Sequence, residues 1–413
     1  MKLNTQRLKA YADILVSHGL NVQTGQLVNI SSEPYHREFC LLIAEAAYKR
    51  GAKFVNIDLG DPKALKLRIE MSKPEDLSYV PPYITNKYAE LVDTTAANLK
   101  VIGPEDPDIL AELDPKKINT QRLHQRLAIQ YFYDEGIGKS KVHWTVAAAA
   151  TPKWGQKVFP KLSPEAAENA LWEEIFKICR VDQADYLAEW RSHNERLRVR
   201  AQKLTSMKIQ SLHFVGPGTD LMVGLSQKAL WKGGTDRSPR GVEFEPNIPT
   251  EECFTTPDYR VTEGYVRTTR PFLINGKLIE GLEIEFKSGQ ITKFKAKSGQ
   301  DTFKEYISSD PGAVRLGEVA LVGIDSPIFK TGLVFEEILF DENAACHIAI
   351  GSAYKFCLEG GASLDSNSAD ALGCNESSVH TDMMISSEEV DVHAITYSGE
   401  RKQLIKKGAW VDL

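Results

Sequence analysis

The chain has 413 residues, of which 42% are hydrophobic and 26% charged, with a formal net charge of -6. That balance suits a folded protein with a large core rather than a disordered one, and its sign gives no electrostatic reason to expect nucleic acid as a partner. No apolar run approaches the ~20 residues that span a bilayer, and at roughly 100–200 residues per domain two or three domains are expected.

The first residues, Met1-Lys2-Leu3-Asn4-Thr5-Gln6-Arg7, are polar and lack the apolar stretch of a secretory signal. Trp410-Val411-Asp412-Leu413 is no lipidation signal, so the cytoplasm is the expected location. Residues 8–20 read as a helix ending at Gly19, Leu27–Ile30 as a strand, Glu38–Lys49 as an amphipathic helix and Lys53–Asp58 as the next strand. A helix over Lys63–Met71, a strand near Leu99–Ile102, a helix over Thr120–Tyr133 and a strand over His143–Ala148 continue the alternation. This pattern predicts an α/β domain with a largely parallel sheet. Gly138-Lys139-Ser140 resembles the end of a phosphate loop, but Tyr133 stands where its first glycine belongs, so a polar loop is expected. For the same reason residues 1–200 are expected to bind no nucleotide.

From Ser163 to about Lys208 the chain reads as helical, opened by Ser163-Pro164-Glu165. After Ile209 the texture changes to strands: Leu212–Val215, Leu221–Val223, and a hairpin of Glu283–Phe286 with Ile291–Phe294. The expected organisation is therefore an α/β domain over 1–205 and a strand-rich α+β domain over 206–413, with the chemistry in the second. The six cysteines, Cys40, Cys179, Cys253, Cys346, Cys357 and Cys374, form no CxxC pair and read as buried thiols.

Four stretches of the second domain carry candidate chemistry. In Asn247-Ile248-Pro249-Thr250-Glu251-Glu252 the two carboxylates point to opposite sides if the segment is extended. Either could face a metal, or both could be a solvated acidic turn. In Leu316-Gly317-Glu318-Val319-Ala320-Leu321-Val322 a carboxylate sits in a strand apolar on both faces. Burial demands a partner, either a cation or an arginine such as Arg315 or one distant in sequence. In Phe340-Asp341-Glu342-Asn343-Ala344-Ala345-Cys346-His347, continuing to Tyr354, a helix would place His347 and Tyr354 on one face and Glu342 off it. In Ser378-Val379-His380-Thr381-Asp382, a strand would set His380 and Asp382 on one face about 6–7 Å apart. Imidazole and carboxylate ligands suit zinc, cobalt or manganese better than calcium. Together the stretches offer enough ligands for two ions.

These stretches, with Trp144–Ala149 and Gly218-Thr219-Asp220-Leu221, resemble the M29 metallo-aminopeptidases over essentially the whole chain. Cys253 and Thr381 depart from the pattern, where an aliphatic residue and a valine are expected. The resemblance implies metal ligands Glu252, Glu318, Glu342, His347, His380 and Asp382, with Tyr354 close to the metals. It also implies two divalent ions per subunit, action on peptides with a free N-terminus, and a homodimer. Glu251 is then the candidate general base, and Tyr354 a candidate donor to the oxyanion. Another metal-dependent hydrolase, such as a phosphoesterase using Arg260 and Arg267, and a catalytically silent binding protein are the alternatives.

Overall fold

The structure is a computed structural model that describes residues 5–411; residues 1–4 and 412–413, on which part of the reading of the two termini rests, lie outside the described residues. The chain divides into two compact units. One comprises the chain up to Arg191 together with Thr235–Pro249, and the other comprises Ser192–Gly234 together with the chain from Thr250 onward.

The first unit is built on a parallel five-stranded sheet in the order Phe54–Leu59, Leu27–Ser32, Ala97–Ile102, His143–Ala148, Asn247–Ile248. Parallel neighbours need crossovers, and helices supply them: Arg37–Lys49, then Pro62–Met71 and Pro82–Asp93, then Pro115–Ala128. Several starts are written in the sequence as an N-cap followed by proline. Asp61 accepts from Lys63 N, Asp114 from Lys116 N and Ser163 from Ala166 N. The first predicted helix is α-helical over Thr5–Ile14 and widens to a π turn over Leu15–Gly19. The helix Pro82–Asp93 is not foreseen; it opens on proline, which is favoured in a first turn. At Gly138-Lys139-Ser140 the lysine pairs with Glu135 and the Ser140 hydroxyl donates to Asp236, a polar turn. At the carboxyl ends of Leu27–Ser32 and Ala97–Ile102, where open α/β sheets receive ligands, buried His36 donates from Nε2 to Gly103 O at 2.7 Å.

A single cut at residue 205 misses how the chain returns. Thr235–Pro249 belongs to the first unit because Asn247–Ile248 adds an edge strand beside Val146 and Ala147. A two-residue strand carries too little pattern to be seen in a sequence.

The second unit holds two antiparallel sheets. The larger runs Gln290–Lys295, Glu283–Lys287, Pro257–Arg267, Thr219–Leu225, Ile209–Gly216, Asp391–Thr396, Arg401–Lys406, Ala409–Trp410. The smaller runs Cys253–Thr255, Leu316–Leu321, His347–Gly351, His380–Met384. Leu212, Phe214, Leu221 and Val223 of the larger sheet share one core with Val319, Leu321, Ile348, Ile350 and Met383 of the smaller. This packing covers one face of the smaller sheet. Every residue of its two central strands is buried, so the other face is shielded as well.

Candidate metal centre

The register of the smaller sheet determines which side chains share its second face. Glu318 lies opposite Ala349, and Ala349 opposite Asp382. His347 is two residues from Ala349, and His380 two from Asp382, so the pleat turns all four polar side chains to the same side. Ala320 lies opposite both His347 and Phe254. Continuing that alternation upstream puts Glu252 on this face and Glu251 on the reverse. The small side chain of Ala349 leaves space between the flanking carboxylates.

The contacts follow from this layout. Glu252 Oε2 lies 3.2 Å from His347 Nε2. Glu318 reaches both imidazoles, with Oε1 3.9 Å from His347 Nε2 and Oε2 3.3 Å from His380 Nε2. Asp382 Oδ1 lies 3.4 Å from His380 Nε2. Two triads with metal-ligand spacing result, Glu252–Glu318–His347 and Glu318–His380–Asp382, and Glu318 belongs to both. Arg315 is not the partner of Glu318, since it donates to Tyr259 O, and the groups that face Glu318 are His347 and His380.

Both imidazoles are oriented from behind. His347 Nδ1 is 3.2 Å from Ala345 O, and His380 Nδ1 is 2.8 Å from Ser352 O. A carbonyl only accepts, so each Nδ1 carries a proton and Nε2 is turned into the cluster. Glu342 and Tyr354 complete the surroundings. Glu342 lies outside both triads, and its Oε1 accepts from Asn343 Nδ2 at 3.4 Å. Tyr354 places its hydroxyl 3.4 Å from His380 Nε2. His347 opens a strand and Tyr354 follows it in extended conformation, so the helical reading of this stretch is corrected. His347–Gly351 is a continuous buried run with no period-2 signal to mark it as a strand.

Burial and crowding of carboxylates dominate the electrostatics. Desolvation, with Asp382 and Glu252 close by, raises Glu318 to about 7 against the pull of His380. Desolvation and the Asp382 and Glu252 carboxylates push Glu342 well above the usual range. Burial works to lower His347 and His380, yet the carboxylates facing them hold both well above an ordinary imidazole. Asp382 is driven upward by burial, but His380 brings it below its ordinary value. Glu252 Oε2 is buried and, despite its ion-pair distance, no hydrogen-bond donor is directed at it. An orphaned carboxylate oxygen among further buried carboxylates is costly without cationic compensation. The donor set therefore fits divalent cations, with imidazole nitrogen and carboxylate oxygen as ligands.

Glu251 has different partners from Glu252. Its Oε2 lies 3.6 Å from His193 Nε2, and its backbone N–H donates to Asn343 Oδ1 at 2.7 Å. His193 and Asn343 are contributors the sequence reading missed. Asn343 also donates from Nδ2 to Leu339 O at 2.9 Å, so one amide ties Glu251's backbone to the turn that carries Glu342. An Asn directly after a candidate glutamate was the available signal, while His193 lies too far away in sequence to be linked. Beside Glu342, Tyr354, His380 and Asp382 opens a cavity of about 360 Å³. Arg260 forks onto Asp258 and Arg267 faces Glu283, so neither argues for a phosphate site.

A family model described as thermophilic metalloprotease (M29) matches residues 4–410. The chain is 39% identical to "Aminopeptidase T" of Thermus thermophilus over 98% of both chains. It is 38% identical to "Aminopeptidase 2" of Geobacillus stearothermophilus, again over 98% of each. A solved structure titled "Wild-type AmpT from Thermus thermophilus" superposes with a TM-score of 0.92 at 38% identity, covering 99% of this chain and 100% of that one.

Proposed function

The chain belongs to the thermophilic metalloprotease family M29 and is a metallo-aminopeptidase, and we propose that it uses two divalent cations per subunit to hydrolyse peptides at a free N-terminus. Glu252, Glu318, Glu342, His347, His380 and Asp382 would hold the ions, with zinc, cobalt or manganese suited to that donor set. The observation that carries the two-ion reading is the position of Glu318, which offers Oε1 toward His347 and Oε2 toward His380.

When bound, such cations supply Lewis acidity toward water and toward the scissile carbonyl. The remaining work falls to side chains. Glu251 would take the proton of the attacking water and deliver it to the leaving amine, its carboxylate turning toward the cluster from its place 3.6 Å from His193 Nε2, which itself donates to Thr250 O. Tyr354 donates its hydroxyl proton to the developing oxyanion. The buried wall around the cluster excludes bulk water and strengthens each of these interactions.

The protein is read as cytoplasmic. Its six cysteines are all free and buried, as in a reducing compartment, and no helix among the described residues is long and apolar enough to cross a membrane. The test is hydrolysis of aminoacyl-p-nitroanilides. Activity is expected with divalent metal, abolished by chelator and restored by adding metal back, and N-acetylated substrates are expected to resist. Equal rates on free and acetylated forms would contradict an exopeptidase.

A further inference from the structure

Lys232 and Phe254 exchange both backbone hydrogen bonds, an isolated antiparallel bridge just beyond the edge strand Cys253–Thr255 of the smaller sheet. Residues paired in this way share a face. Phe254 lies opposite Ala320, and Ala320 opposite His347, so Lys232 stands on the face of the candidate metal ligands. Alternation agrees, because its neighbour Trp231 and Phe254's neighbour Cys253 both enter the core on the reverse face. Lys232 is half-buried, yet its ammonium makes no ion pair or hydrogen bond with any described residue. Burial pushes the Cys357 thiol well up, with Glu318 adding to the rise and Lys232 easing it, so one buried atom feels both the cluster and the lysine. Beside the bridge the half-exposed rings of Phe254, Tyr354 and Phe356 form an apolar wall. Phe254 meets Tyr354 at 6.0 Å and Phe356 at 6.3 Å between ring centroids.

We propose that Lys232 binds the C-terminal carboxylate of short peptides on the leaving side of the scissile bond, with Phe254 and Phe356 packing against the leaving residue, so that di- and tripeptides with a free C-terminus are preferred. The assignment rests on the aminopeptidase reading and adds a substrate class to it. The α-amine of a peptide is cationic and is repelled by an ammonium, so Lys232 suits the opposite, anionic end. The negative charges of Glu252, Glu318, Glu342 and Asp382 are matched by two divalent cations, which leaves the lysine's charge for another anion. Two strand spacings, about 10 Å, separate Lys232 from Ala320. The lysine stem spans part of that distance, and the remainder suits one or two extended residues at about 3.3–3.6 Å each.

The test compares kcat/KM of the metal-loaded enzyme on leucyl-leucine and on its C-terminal amide. Lys232→Met should lower the acid-to-amide ratio by about 10-fold, the worth of a hydrogen bond to a charged group, with the loss carried by KM for the free acid. Lys232→Arg should keep the preference and Lys232→Glu should reverse it. A readout without turnover is calorimetric binding of the reduced-bond, uncleavable analogue of leucyl-leucine. In wild type, which depends on no substitution folding, added salt should weaken this analogue more than its amide. Equal salt dependence of the two analogues would overturn the assignment. So would an acid-to-amide ratio unchanged in a Lys232→Met protein of wild-type metal content and melting temperature; in both cases cleavage of leucyl-leucinamide would leave the aminopeptidase reading standing. Wild type inactive on both peptides would overturn that reading, and the lysine assignment with it.

Discussion

Glu251 and Glu252 are adjacent in sequence and differ in their partners: one carboxylate meets His193, the other His347. If Glu252 is a ligand, Glu252→Ala should lose bound metal and activity together. If Glu251 is the general base, Glu251→Gln should keep the metal and lose activity by roughly 100- to 10,000-fold. Metal analysis alongside kcat for each variant checks this, and the opposite pattern would exchange the two roles. The divergence of the pair was legible in the sequence, because an extended segment alternates. The choice of Glu252 for the metal face was not. It follows from the register in which Phe254 lies opposite Ala320 and Ala320 opposite His347, information held in strand pairing rather than in local spacing. His380 and Asp382 needed only the period of one strand and were legible for that reason. His193 and Asn343 act through contacts 58 and 92 residues away along the chain, which one sequence does not encode in any visible pattern.

At the scale of elements, the strand carrying Glu318 depends on Gly317. The pairing with His347–Gly351 is irregular between Leu316 and Glu318, and Leu316 joins the core with Val319 and Leu321 instead of sharing Glu318's face. A Cβ on Gly317 would stand 2.4 Å from both Gly351 O and Ser352 O. Ser352 O is also the acceptor that orients His380. Gly317→Ala should therefore push the two strands apart, cost about 1–3 kcal/mol in stability as overpacking, and weaken metal binding. Denaturant unfolding and metal titration read the two effects, and wild-type behaviour in both would refute this role for the glycine. Elements with strong periodicity or capped starts, such as Arg37–Lys49 and Pro164–Ile178, were legible. The stretch over His347–Gly351 was misread because an all-buried strand lacks the alternation that separates it from a buried helix.

For the whole molecule, the class of fold was legible from the change of texture near Ile209, while the route of the chain was not. Thr235–Pro249 returns to the first unit through a strand of two residues, and a single boundary has no place for such a return. A homodimer is proposed from the family likeness. Light scattering should give a mass near twice the 46.0 kDa of one chain, and a value near 46.0 kDa at all working concentrations would count against it. The central claim is that Glu318 joins two cation sites into one catalytic centre. Its most direct test is titration of chelator-stripped protein with zinc, cobalt or manganese while bound metal and leucyl-p-nitroanilide hydrolysis are followed together. Two equivalents per chain are expected at full activity, with Glu318→Gln weakening the binding of both. Full activity in the stripped protein, or saturation at one equivalent with no further gain, would contradict it.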